Sequence, residues 1–213
     1  MFEAWKQEPE QIEHFRQWKQ AKIDRSMRLS GVGSRFKDKK LNDLKVNAPL
    51  HAECLRYVEN WKEMRKNGFG FFFWGNVGAG KTHAASALAN ELMQERLVEV
   101  LFLNMPSTVT RVKKTFDSPL KNEDKKIFDR MKEVELLIVD DLGVEKFSDW
   151  LSDQFYQIID HRWQNKKPMI ITSNQSLEDL SSCYKPQVIS RIWGCCKSIK
   201  FTEEDRRKQA KLF

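Results

Sequence analysis

A chain of 213 residues, 40% hydrophobic and 31% charged, can bury the core of one ordinary domain with a short appendage and is cramped for two. No stretch approaches the roughly 18 uninterrupted apolar residues of a spanning helix, and "MFEAWKQEPE" lacks the basic start and apolar core of a secretory leader, so no membrane association and a cytoplasmic protein are expected. The net charge of +7 is a mild bias toward polyanions that identifies none of them.

In chain order, "EPEQIEHFRQWKQAKIDRSMRL" reads as a helix beginning at Pro9, with Ile12, Phe15, Trp18 and Lys22 on one side. "LSGVGSRFKDKKLND" follows, with two glycines and a run of charge, and suits an exposed linker or arm. Composition shifts near Pro49, which divides an N-terminal segment, 1–48, from a main domain, 49–213. Leu50, Cys54, Tyr57 or Val58, and Trp61 then recur at amphipathic spacing in a helix that ends at Gly68. Four apolar runs, "FGFFFW", "VEVLFLN", "VELLIVD" and "PMIITSN", read as buried strands, and "SIKF" at 198–201 as a fifth. Helical patterns between them, 81–95, about 106–130 with breaks, and 149–165, predict an α/β fold whose parallel sheet is covered on both faces. The four cysteines show no CxxC pair and no histidine at zinc spacing, so reduced thiols are expected.

The chemistry concentrates at strand ends. Gly75, Asn76, Val77, Gly78, Ala79, Gly80, Lys81 and Thr82 match G-x-x-x-x-G-K-[ST] between a strand pattern and a helix pattern. The glycines let main-chain N–H groups approach an anion, and the start of the next helix adds its dipole. Lys81 is positioned for β- and γ-phosphates, and the Thr82 hydroxyl for Mg²⁺. "LLIVDD" closes a strand with Asp140, the expected metal-side acid, and Asp141, expected to point the other way and polarise an attacking water. Asn174 ends another strand, where its amide could orient water or touch the γ-phosphate. His83 is placed beside the loop, packing or capping there. These motifs together predict a P-loop nucleoside triphosphatase that takes ATP and Mg²⁺.

"GNVGAGKTHAASALANEL", "LLIVDDLGVEKFSDWLSDQFYQIIDHRW", "KPMIITSN", and "PQVISRI" with "DRR" resemble the AAA+ helicase loaders of the DnaC/DnaI type and the related IstB transposition ATPases, over residues 31 to about 207. The resemblance implies an AAA+ core with strand order 5-1-4-3-2, the Asn174 strand lying between those of the phosphate loop and Asp140, and no C-terminal helical lid. It implies that Arg191 is an arginine finger acting on ATP of a neighbouring subunit, and that Arg206 or Arg207 senses nucleotide. Asp141 takes the acid position that many AAA+ ATPases fill with glutamate, which implies slow turnover. The implied partners are a replicative hexameric DNA helicase, docked by the N-terminal segment, and single-stranded DNA, with ATP-dependent self-assembly. Arg111, Lys113, Lys114 and Phe116 lie in the neighbourhood that contacts DNA in the family, and basic groups beside an aromatic suit a single strand. A transposition helper acting on duplex DNA and a nucleotide-gated adaptor with little turnover are the alternative functions.

Overall fold

The computed structural model describes residues 9–45, 47–115, 121–144 and 148–205. Five strands, β1 (Gly70–Gly75), β2 (Val100–Asn104), β3 (Leu136–Leu142), β4 (Met169–Ser173) and β5 (Cys196–Phe201), form one sheet in the order β2-β3-β4-β1-β5. Every pairing is parallel. The expected order is therefore the observed one, and β4 lies between β1 and β3.

The helices are α1 (Pro9–Leu29), α2 (Ala48–Glu59), α3 (Trp61–Asn67), α4 (Lys81–Arg96), α5 (Met105–Thr115), α6 (Lys121–Glu133), α7 (Asp149–Gln164), α8 (Leu177–Leu180) and α9 (Pro186–Cys195). The single helix expected to end at Gly68 is two, because the chain breaks at Asn60. Its stop was placed correctly: Gly68 closes α3 in the left-handed conformation, φ +72°. Leu50, Cys54, Tyr57, Val58 and Trp61 are all buried.

Alternation along the strands divides the core. Phe72, Leu101, Leu103, Leu137, Val139 and Ile171 face one hydrophobic layer, with residues of α5, α6, α7 and α9. Phe71, Phe73, Val100, Phe102, Ile138 and Ile170 face the other, with α2 and α4. Burial of each such side chain stabilises the fold by about 1.5–3 kcal/mol. Ala84, Ala85, Ala87 and Ala89 carry no exposed surface, so α4 sits close against the sheet and its N-terminus is fixed under the loop that follows β1.

The linker expected over residues 29–43 is a correction. Val32, Leu41 and Leu44 are buried in the same layer as α4. Phe102 N donates to Ser30 O at 2.6 Å. Asn90 of α4 donates through Nδ2 to the carbonyls of Phe36, Lys37 and Lys39 at 2.9, 3.0 and 2.9 Å. Charged residues are frequent in this stretch, but Val32 and Leu41, with Leu44 just beyond it, and the buried Asn90 amide make it part of the packed body. Among the described residues no helix is long and apolar enough to cross a membrane. Cys54, Cys195 and Cys196 are buried, Cys183 is exposed, and all four are free thiols.

Candidate active site

The phosphate loop leaves β1 at Gly75 and enters α4 at Lys81. Gly75, Gly78 and Gly80 have φ of +123°, +76° and +103°, conformations that side chains disfavour. A Cβ at Gly75 would stand 2.2 Å from Phe201 O, so β5 crowds the loop on its outer side. Asn76 belongs to that contact: its N donates to Phe201 O at 3.0 Å and its Nδ2 to Thr202 O at 3.0 Å. Asn76 thus braces the loop through both its backbone N–H and its side chain. Val77 forms the exposed tip and Ala79 is buried beneath it.

Lys81 is 5% exposed, and its Nζ donates to Gly75 O at 2.9 Å, Asn76 O at 2.7 Å and Asn174 Oδ1 at 2.8 Å. The last bond joins the end of β4 to the phosphate loop, a partner the sequence did not single out for Asn174. Three acceptors hold the ammonium in a fixed position at the mouth of α4.

Asp140 is 4% exposed and accepts from Thr172 Oγ1 at 2.8 Å. Burial pushes its carboxyl above the usual range, and the neighbouring Asp141 charge adds to this; bonds from Thr172, Thr82 and Asn104 oppose it. The Thr82 hydroxyl at the start of α4 is thus one of the groups near the Asp140 carboxyl.

The expectation that Asp141 points away from Asp140 assumes unbroken strand alternation, which β3 does not have. The β3–β4 register shifts between Val139↔Ile171 and Leu142↔Ser173, placing one extra residue on β3. Asp141 takes up that bulge at φ +58°, its N donating to Thr172 Oγ1 at 3.0 Å. A bulge cancels the alternation of the strand. Asn104 Nδ2 reaches Asp141 Oδ2 at 3.4 Å, and Asn104 is in register with Asp140 across the β2–β3 pairing, so both acids stand beside the end of β2. A left-handed aspartate is strained, and strain of this kind gathers at sites of chemistry.

Sequence reasoning passed over Asn104 and Thr172. Each stands at the carboxyl end of an apolar strand, which is the signal that singled out Asn174.

Other expected residues lie elsewhere. His83 Nε2 sits 3.5 Å from Asp43 Oδ2, so its side chain turns to the N-terminal segment rather than to Lys81 or Asp140. A backbone bond from Lys40, followed by the nearby imidazole, holds the Asp43 carboxyl below its usual range. Arg191, on α9, is ion-paired through Nε with Asp160 Oδ1 of α7. Its guanidinium lies 5.0 Å from the ring centroid of Trp163 and 5.8 Å from that of Tyr156. Within one chain it is thus held by α7 and is not among the groups gathered at Lys81. Arg111, Lys113 and Lys114 are on α5, where Arg111 and Lys114 line a groove of about 420 Å³ with Pro106, Ser107 and Thr110. Phe116, Arg206 and Arg207 lie outside the described residues.

The family profile described as IstB-like ATP binding protein matches residues 16–212. The chain belongs to the IstB-like ATP-binding family. This member is 27% identical to the replicative helicase loader DnaC of Escherichia coli strain K12 over 175 residues, 80% of this chain and 69% of DnaC. It is 33% identical to the phage-like element PBSX protein XkdC of Bacillus subtilis strain 168 over 137 residues, 60% of this chain and about half, 49%, of that relative's length. The crystal structure of the DnaC helicase loader superposes with a TM-score of 0.69 at 26% identity, covering 80% of this chain and 100% of that one. That of DnaI gives 0.70 at 25%, covering 80% and 94%. The fold of this IstB-like protein is accordingly the AAA+ core, and its family binds ATP.

Proposed function

We propose that the chain is a Mg²⁺-dependent ATP hydrolase that assembles on ATP and loads a replicative hexameric helicase onto single-stranded DNA. The observation that carries the ATPase is the meeting, at the carboxyl edge of adjacent strands, of Lys81 with Asn174 at 2.8 Å and of two carboxylates with Thr172 and Asn104. The similarity to DnaC supports the loader role.

The site fits its ligands. Glycines at positive φ, the start of α4 and a fixed ammonium suit a triphosphate. Thr82 and Asp140 offer hard oxygens, and Mg²⁺ commonly takes only one or two protein carboxylates and completes its shell with phosphates and water. Bound there, Mg²⁺ would neutralise charge on the phosphates. Asp141, its Oδ2 weakly held by Asn104, takes the proton of the attacking water, and Asn174 keeps the Lys81 ammonium aligned. Arg191 serves a neighbouring copy, exchanging Asp160 for the charge that develops on that copy's phosphoryl group.

The N-terminal segment, residues 1–48, is the helicase-docking element in this proposal. Ile12, Phe15 and Trp18 of α1 are 37%, 59% and 48% exposed, and Phe15 stacks on Trp18 at 5.7 Å, a surface of the kind that anchors a protein partner. Trp5, a second candidate anchor, lies outside the described residues. The match to the IstB-like profile keeps a second reading open, a transposition helper on duplex DNA.

ATP turnover with and without single-stranded DNA tests the proposal. Wild type should be accelerated by DNA, and Asp141→Asn and Arg191→Ala should each lose about 10²-fold or more while still binding nucleotide. Mixing the two variants should restore part of the rate, since the finger acts between subunits. Unchanged turnover in Arg191→Ala would remove the finger. Retention of a hexameric helicase on circular single-stranded DNA only with this chain and ATP would support loading, whereas long ATP-dependent filaments on duplex DNA would favour the transposition reading.

A further inference from the structure

The segment that follows β5 lies across the phosphate loop. A Cβ at Gly78 would stand 1.9 Å from Asp205 Oδ1 and 2.8 Å from Asp205 Cβ, so this side chain packs directly on the loop at its second glycine. The segment is held in place at several points. Gly75 is in register with Phe201 at the end of the β1–β5 ladder. Asn76 Nδ2 donates to Thr202 O at 3.0 Å and Glu203 O at 3.5 Å. Asn47, which caps α2, donates through Nδ2 to Glu203 Oε1 at 2.6 Å. Thr202–Asp205 therefore forms a strap anchored on the loop and on α2, and it carries the Asp205 carboxylate.

Placing an acid here conflicts with the purpose of the loop. The positive end of α4 and the Lys81 ammonium make a field that favours any anion. A carboxylate, with acceptor oxygens only, answers that field in the same way as a phosphate. Two anions cannot share it without strong mutual repulsion.

We infer that Asp205 is an internal anion competing with the phosphates of the nucleotide for the phosphate loop, so that triphosphate binding and release of the Thr202–Asp205 strap are one equilibrium. The inference rests on the ATP reading of the loop and adds a regulating residue to it. Affinity is lowered in proportion to the fraction of molecules in which the strap is closed. Release of the strap also frees Glu203 from Asn47, linking the phosphate site to the start of α2.

The test is titration of wild type, Asp205→Asn, Asp205→Ser and Lys81→Ala with Mg²⁺ and a non-hydrolysable ATP analogue, and separately with pyrophosphate. Asp205→Asn keeps the shape and removes the charge, and it should tighten both ligands by about tenfold. A purely structural lesion would weaken them, so the direction of the change decides. Equal or weaker binding by Asp205→Asn, beside normal binding by wild type, overturns the strap and leaves the ATP site standing. If Asp205→Asn does not fold, Asp205→Ser is judged by the same criterion. Absence of binding by wild type and both Asp205 variants overturns the ATP reading and this inference with it.

Discussion

Arg162 is fully buried on α7, and its two terminal nitrogens donate to the carbonyls of Met131, Lys132, Val134, Glu135 and Pro168. These carbonyls lie where α6 ends and where β3 and β4 begin, so one guanidinium joins three elements. Burial lowers it to about 9, which leaves it charged at neutral pH. Arg162→Met would strand the carbonyls in the interior and should cost about 3–5 kcal/mol in urea unfolding, with Arg162→Lys recovering only part because an ammonium lacks the fork geometry. A loss below about 1 kcal/mol would show that the carbonyls find other partners. The same residue scale explains what the sequence could convey about the site. Lys81 follows a glycine-rich loop pattern, and Asp140 and Asn174 stand at the ends of apolar runs, so their placing at the strand edge was readable. Asn104 and Thr172 gain theirs from the placing of β2, β3 and β4 side by side, which no local pattern contains.

At the scale of elements, the strands were legible because parallel strands buried on both faces are continuous apolar runs. The bulge in β3 was not, because two aspartates ending a strand look alike whether or not an extra residue is inserted; it holds Asp141 in a left-handed backbone. The segment before α2 was misread because loop-like composition hid three anchoring aliphatics and a tie to Asn90. The helix α9 went unread as a helix, although Val188, Ile189 and Ile192 give it a buried face and its motif was noticed. On α5, Lys113 and Lys114 occupy the last turn, beside the groove that Arg111 lines. If this helix follows a single strand, replacing Lys113 and Lys114 with alanine should weaken single-stranded DNA binding several-fold and flatten its salt dependence. Equal affinity at every salt concentration would exclude the helix from the interface.

For the whole molecule, the order β2-β3-β4-β1-β5 is what converts scattered strand-end residues into one crevice, with Asn174 between the phosphate loop and the acids. The same arrangement leaves Arg191 held by α7 in its own chain, away from Lys81; if it completes a neighbour's site, as proposed, hydrolysis would depend on assembly. A net charge of +7 is a mild bias toward polyanions that selects none of them. Each of these consequences depends on capture of a triphosphate at Lys81. Titration calorimetry of ATP with Mg²⁺ into wild type and Lys81→Ala tests that capture most directly. Saturable heat at one site per chain for wild type, weakened about 10²-fold or lost in Lys81→Ala while the variant keeps its fold, is the predicted result. Equal binding by both proteins, or no heat from wild type, would contradict it.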